Sequence, residues 1–170
     1  MIFMEIIYDD RGNILEGVVI KYYSDDKKMS ETPYKNGNIN GDVIEYHYNG
    51  MVSSVTPYVD GVINGKVKTY YQNGMIMEII PYENGKVTGT RCRYFETGLL
   101  EEEAEYVRDV LNGFVVQYNS DGSIRSKREF RKGFPVEVEK EIRKEDAEDK
   151  EEKKEEVVEQ LTKEELDRLL

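Results

Sequence analysis

The chain has 170 residues, 38% of them hydrophobic and 35% charged, with no tryptophan and a formal net charge of −11. That is thin material for a conventional core, and the wrong sign for nucleic acid or anionic lipid, both of which reward clustered Lys and Arg. A basic protein is the partner such a charge favours. The charge is uneven, because residues 137–170 hold 8 basic and 15 acidic side chains. The opening residues MIFMEIIYDD lack a basic start, and no run approaches the ~18 apolar residues of a membrane helix, so the chain as written reads as cytoplasmic. Cys92 is the single cysteine, which excludes an internal disulfide and any cysteine metal motif.

Residues 2–8 are apolar enough for a strand, and Asp9-Asp10-Arg11-Gly12 forms a turn into the run Ile14–Tyr23. Residues 1–16 read as a shortened unit that caps the sheet. From there a glycine recurs every 24 residues, at Gly17, Gly41, Gly65, Gly89 and Gly113, and opens five units that fill residues 17–136. Five residues after each opener stands a tyrosine, Tyr22, Tyr46, Tyr70, Tyr94 and Tyr118. Seventeen after it stands another aromatic, Tyr34, Tyr58, Tyr82, Tyr106 and Phe130. A fixed period of this length marks a repeat architecture in which each unit buries its apolar surface against its neighbours.

Asn-Gly and Asp-Gly pairs punctuate the units at two places, Asn49-Gly50, Asn73-Gly74 and Asp121-Gly122 at one, Asn36-Gly37, Asp60-Gly61 and Asn84-Gly85 at the other. Such pairs favour two-residue type I′ turns, so the strands between them run as an antiparallel meander. With two-residue turns throughout, the residue six after an opener pairs with the eleventh, and the seventeenth with the twenty-second. In the third unit one face then collects Val67, Tyr71, Ile76, Ile80, Tyr82 and Val87, and is apolar. The other collects Lys68, Tyr70, Met77, Ile79 and Pro81, and in the fourth unit Cys92, Tyr94, Glu101, Glu103 and Glu105. The opening glycine is expected beneath a neighbouring aromatic ring, Tyr82 in the case of Gly65. About eleven strands are expected in all.

Residues 137–170 read as a helical tail. Glu139–Arg143, Asp146–Lys150 and Asp149–Lys153 are favourable i,i+4 pairs, and Val157, Val158, Leu161, Leu166, Leu169 and Leu170 form an apolar end. A break near Thr162, with a capping-box spacing to Glu165, fits the apolar pattern. The expected fold is a mainly β, elongated single-layer antiparallel meander of hairpin repeats with a C-terminal α-helical tail.

The pattern G-x4-Y-Y-x-N-G-x6-P-Y-x-N-G-x3-G between Gly65 and Gly89, repeated less completely elsewhere in residues 17–136, resembles the MORN-repeat variant of bacterial proteins. Many of these carry the label of YwqK-type antitoxins. The resemblance implies a non-catalytic module for protein interaction, dimerisation or membrane association, and says nothing of the tail.

Chemistry is absent from the sequence. No phosphate loop, nucleotide fingerprint, nucleophile elbow or zinc spacing occurs, so no catalytic residue, metal or cofactor is assigned. His47, the single histidine, stands where other units have Tyr, Phe or Asn and reads as a packed ring. Candidate partner-binding residues are the ladder Tyr22, Tyr46, Tyr70, Tyr94 and Tyr118, the acidic pair Glu101 and Glu103, and the tail leucines Leu161, Leu166 and Leu169. Each has a plain structural alternative: tyrosines as packing rungs, glutamates as a solvated strand, leucines as cover for this chain or its dimer mate. The function expected is protein binding, antitoxin-like in its sharpest form. The alternatives are a self-associating scaffold or dimer and a peripheral membrane protein, the last opposed by the charge.

Overall fold

A computed structural model describes residues 6–136. The predicted helical tail, with its leucines, lies outside the described residues. Among the described residues there is no helix, and all fifteen strands belong to one open antiparallel sheet.

A hairpin opens the chain: β1 (Ile7–Tyr8) pairs with β2 (Ile14–Tyr22), and the Asp9 carboxylate accepts the Arg11 and Asn13 amides at 2.9 and 2.8 Å. Then come β3 (Lys28–Lys35), β4 (Asn38–Ile39), β5 (Gly41–Tyr46), β6 (Val52–Val59), β7 (Val62–Ile63), β8 (Gly65–Tyr70), β9 (Ile76–Glu83), β10 (Lys86–Val87) and β11 (Gly89–Tyr94). The last four are β12 (Leu100–Val107), β13 (Val110–Tyr118), β14 (Ile124–Arg131) and β15 (Phe134–Pro135). Successive long strands are neighbours throughout, while β4, β7 and β10 are short returns onto β3, β6 and β9. The strand count exceeds the expected eleven because three strands break just before an opening glycine and the short β15 is added after β14.

The two turns differ. Asn84-Gly85 is the two-residue turn expected, with φ of 49° and 78° and Glu83 opposite Lys86. Asn73-Gly74 is not. There Tyr71 N–H donates to the Met75 carbonyl and Gly74 N–H to the Tyr71 carbonyl, and among the three loop residues only Gly74 has positive φ. This is a type I turn closed by a glycine bulge. Asn73 serves through its side chain, whose Oδ1 accepts Met75 N–H at 2.9 Å.

This extra residue changes the register. Tyr70 opposes Ile76 and Thr69 opposes Glu78, which leaves Met77 in a bulge. The expected pairing of residues six and eleven is therefore replaced by five and eleven, and Ile76 joins the tyrosine face while Met77 leaves it. The same shift recurs at Tyr22, Tyr46, Tyr94 and Tyr118.

A second correction concerns the opening glycine. Gly65 does lie opposite Tyr82, but the group standing over it is Pro57 of the preceding unit, whose Cγ would lie 2.9 Å from an added Cβ. Pro33 and Pro81 cover Gly41 and Gly89 in the same way. Tyr58 pairs with Ile63 and Val55 with Lys68, so two extra residues bulge outward at the unit boundary opposite Pro57. The Pro57 carbonyl accepts Asn64 N–H at 3.0 Å on that side, and its missing N–H costs nothing where the neighbouring strand pulls away. At the last boundary Glu105 replaces the proline, and its carboxylate accepts Phe114 N–H at 3.3 Å.

Units are joined by local contacts that recur along the sheet. Gly61 and Gly85 N–H donate to the Ile39 and Ile63 carbonyls, each at 2.8 Å. At the other end Tyr23 and Tyr71 hydroxyls donate to the Tyr46 and Tyr94 carbonyls at 2.8 and 2.7 Å. His47 takes the same place: its Nε2 lies 2.8 Å from the Tyr70 carbonyl, which can only accept, so that nitrogen carries the proton. No conventional core results. Ala104, 3% exposed, is the one buried hydrophobic side chain among the described residues.

Gly65→Val is expected to lose roughly 2–5 kcal/mol in urea unfolding, combining strain at φ +124° with overpacking. Part of that loss should return when Pro57→Ala is added, and none when Tyr82→Leu is added. Recovery by the tyrosine change alone would restore the ring-over-glycine picture.

Candidate protein-binding face

Alternation from the observed pairs defines the two faces. Tyr22, Tyr46, Tyr70, Tyr94 and Tyr118 all stand on one of them, on alternate long strands. Between them in the central units lie Ile44, Val52, Val55 and Pro57, then Ile76, Ile79 and Pro81, all half-buried. The structure therefore concentrates apolar residues around the tyrosines, where the sequence pattern suggested a mixed surface.

Two of the rungs are tied to the neighbouring unit by a glutamate fourteen residues after its opener. Tyr46 hydroxyl donates to Glu31 at 3.0 Å, and Lys28 lies 2.7 Å from the same carboxylate oxygen. Lys28, and with it Tyr46, hold Glu31 below the ordinary carboxylate range against the effect of partial burial. Partial burial, then the Glu31 carboxylate, raises the Tyr46 phenol. Tyr118 hydroxyl donates to Glu103 at 3.0 Å. In the central units the corresponding residues are Val55 and Ile79, which give Tyr70 and Tyr94 no carboxylate. Cys92 sits beside Tyr94, its thiol raised by burial and then by Glu103. Tyr22 is the most open rung, 53% exposed.

The predicted acidic pair does not act as a pair. Glu103 shares the tyrosine face, but Glu101 occupies the bulge and its carboxylate accepts Arg93 Nε at 2.8 Å on the opposite face. Arg93 also opposes Glu102, which accepts Gln117 Nε2 at 2.9 Å. With Glu105 on a backbone amide, every carboxylate of β12 has an internal partner. Sequence reasoning missed Arg93 as the group that answers this acidity; its place in GTRCRY, on the strand opposite the glutamates, was the available signal. It also missed Met51 and Met75, whose methyl groups close over Gly74 and Gly98 of the next units.

Among the described residues no group of three or more His, Cys, Asp or Glu side chains could hold a metal ion. Nor, among those residues, is there a helix long and apolar enough to cross a membrane. What the arrangement offers is an open, periodic surface of rings and aliphatic groups on a repeat sheet. The model of the family described as MORN repeat variant matches residues 15–36 and 63–86, which fall on the first and third units. MORN repeats are in general non-catalytic modules that bind proteins or membranes. No curated protein matches the chain.

Glu103→Gln should bring the Tyr118 phenol down towards its usual range, since the carboxylate that accepts its proton is what raises it. The raised phenol stabilises the fold below its free pKa, and that contribution disappears as pH climbs through the raised value. Ultraviolet titration of wild type and mutant, each with and without Tyr118→Phe, isolates the transition. An unchanged Tyr118 transition would deny the contact.

Proposed function

We propose that this chain is a non-catalytic protein-binding module whose recognition surface is the tyrosine face of the central units. One observation carries this reading. In a one-layer sheet the strip from Ile44 through Val55, Tyr70 and Ile79 to Tyr94 faces no second layer of described residues, and tyrosine is enriched at interaction hot spots. The matched family supports the same class of activity. In its sharpest form the module is antitoxin-like, masking one cognate protein. The internal pairing of the β12 glutamates moves the expected contact from a basic patch on that partner to an apolar one with hydrogen-bond acceptors for the phenols. Dimerisation is a second reading, favoured by the same open strip, which a second copy could cover.

Affinity capture from native lysate, with light scattering of the bait alone, tests the proposal. A stoichiometric foreign protein is expected, with Tyr70→Ala and Tyr94→Ala each weakening its retention about tenfold while the fold persists. Recovery of only further copies of this chain, together with a dimer mass, would replace protein masking by self-association.

A further inference from the structure

The last long strand of the sheet is β14, and it differs from its counterparts. In β3, β6, β9 and β12 the outer side is covered by the next unit in one fixed register, with Ser30 opposite Glu45, Ser54 opposite Thr69, Glu78 opposite Arg93 and Glu102 opposite Gln117. The corresponding residue of β14 is Ser126. On its outer side β14 meets described residues only at its far end, where Phe130 and Arg131 pair with Pro135 and Phe134 and the Glu129 carbonyl accepts Val136 N–H at 2.8 Å. Along Ile124–Arg128 no described strand lies on that outer side, β13 being paired on the inner one.

Its charge differs too. IRSKREFR carries four cations and one carboxylate, where β12, two strands inward, carries four carboxylates and no cation. A hollow of about 340 Å³ next to this edge is lined by Gln117, Arg125, Ser126, Arg128 and Phe130 among others. Arg125 donates to the Gln117 side-chain Oε1 at 3.0 Å, and Lys127 lies over the Phe114 ring at 4.1 Å on the other face. Arg128 has no ion pair among the described residues. Interior units show how such a place is filled: Arg91, two residues before the partner of Glu78, reaches across to Glu78, with Nε 2.6 Å from its carboxylate. An incoming strand would set its own residue, two before the partner of Ser126, in that position beside Arg128.

We propose that the β14 edge receives an extended acidic segment of a partner polypeptide as an additional antiparallel strand. Main-chain hydrogen bonds to Ile124–Arg128 supply the pairing, and carboxylates on alternate residues meet Arg125 and Arg128. Charge selects the occupant. Another copy's β14 would bring four cations against four, so the edge that repels its own kind accepts an acidic strand. This inference rests on the protein-binding reading but uses the sheet edge rather than the tyrosine face.

The test uses the full chain and a labelled ten-residue peptide alternating glutamate with valine, beside the same peptide with lysine for glutamate and a version N-methylated on alternate residues. The glutamate peptide is expected to bind, about tenfold more weakly with Arg128→Glu and about tenfold more weakly at 300 than at 50 mM salt. Both control peptides should fail, and amides in Ile124–Arg128 should gain exchange protection when the glutamate peptide is present. Absence of binding overturns the proposal. So does binding that N-methylation or Arg128→Glu leaves unchanged, since that would place it away from this edge or make it charge attraction alone. Because Tyr70→Ala and Tyr94→Ala are expected to leave peptide binding unaltered, failure here and failure of the tyrosine face remain separate results.

Discussion

The two extra residues at each boundary between the early units are the constraint on which the sheet depends. Between Tyr58–Ile63 and Val55–Lys68 the chain must absorb both without disturbing the ladder on either side. It does so by turning through a glycine at φ +124° while Pro57, which has no N–H to lose, lies over the bare backbone. Proline and glycine are thus two halves of one device, eight residues apart in sequence and repeated at Pro33–Gly41 and Pro81–Gly89. Because the extra residues number two, the bulge leaves the alternation of faces intact, and the five tyrosines share one face.

Where the device changes, the strand changes. Glu105 in the proline position leaves β13 unbroken from Val110 to Tyr118, and Arg108 and Asp109 fill a turn that elsewhere ends in glycine, at φ of 50° and 70°. Asp109 retains the ladder bond of that turn, its N–H donating to the Val87 carbonyl at 2.9 Å, and adds a bond from Val87 N–H to its own carboxylate at 2.7 Å. The fourth unit is specialised, but mostly for cohesion with its neighbours: Arg93 and Gln117 consume acidity of β12 that a foreign surface would otherwise meet, and Arg91 reaches back to Glu78 of the third unit.

Period, meander and the second turn were legible in the sequence, because a 24-residue recurrence and Asn84-Gly85 each have a direct physical reading. The first turn was not, since the same dipeptide at Asn73-Gly74 is used differently: asparagine through its side-chain oxygen, glycine alone through its φ. One loop residue then moves Ile76 and Glu101 to opposite faces from those expected, which is why the tyrosine face proved more apolar and the acidic pair fell apart. The role of proline was visible only in the strand pairing; as a residue in an interior strand it reads as a breaker until the bulge beside it is known. Tyr23, His47 and Tyr71 look interchangeable as rings, and their shared duty as donors to a neighbouring carbonyl emerges from the geometry.

With Ala104 the one buried hydrophobic side chain among the described residues, stability must come from many boundary contacts of modest size, each bond worth about 1 kcal/mol net. Residue-resolved hydrogen exchange of the full chain tests this most directly. Protection is expected to be greatest around Val55, Lys68, Ile79 and Cys92, to fall towards both ends of the sheet, and to dip at the bulge residues 65–66. A single uniform opening free energy from Ile14 to Arg131 would contradict this, and would mean that the sheet unfolds as one cooperative body.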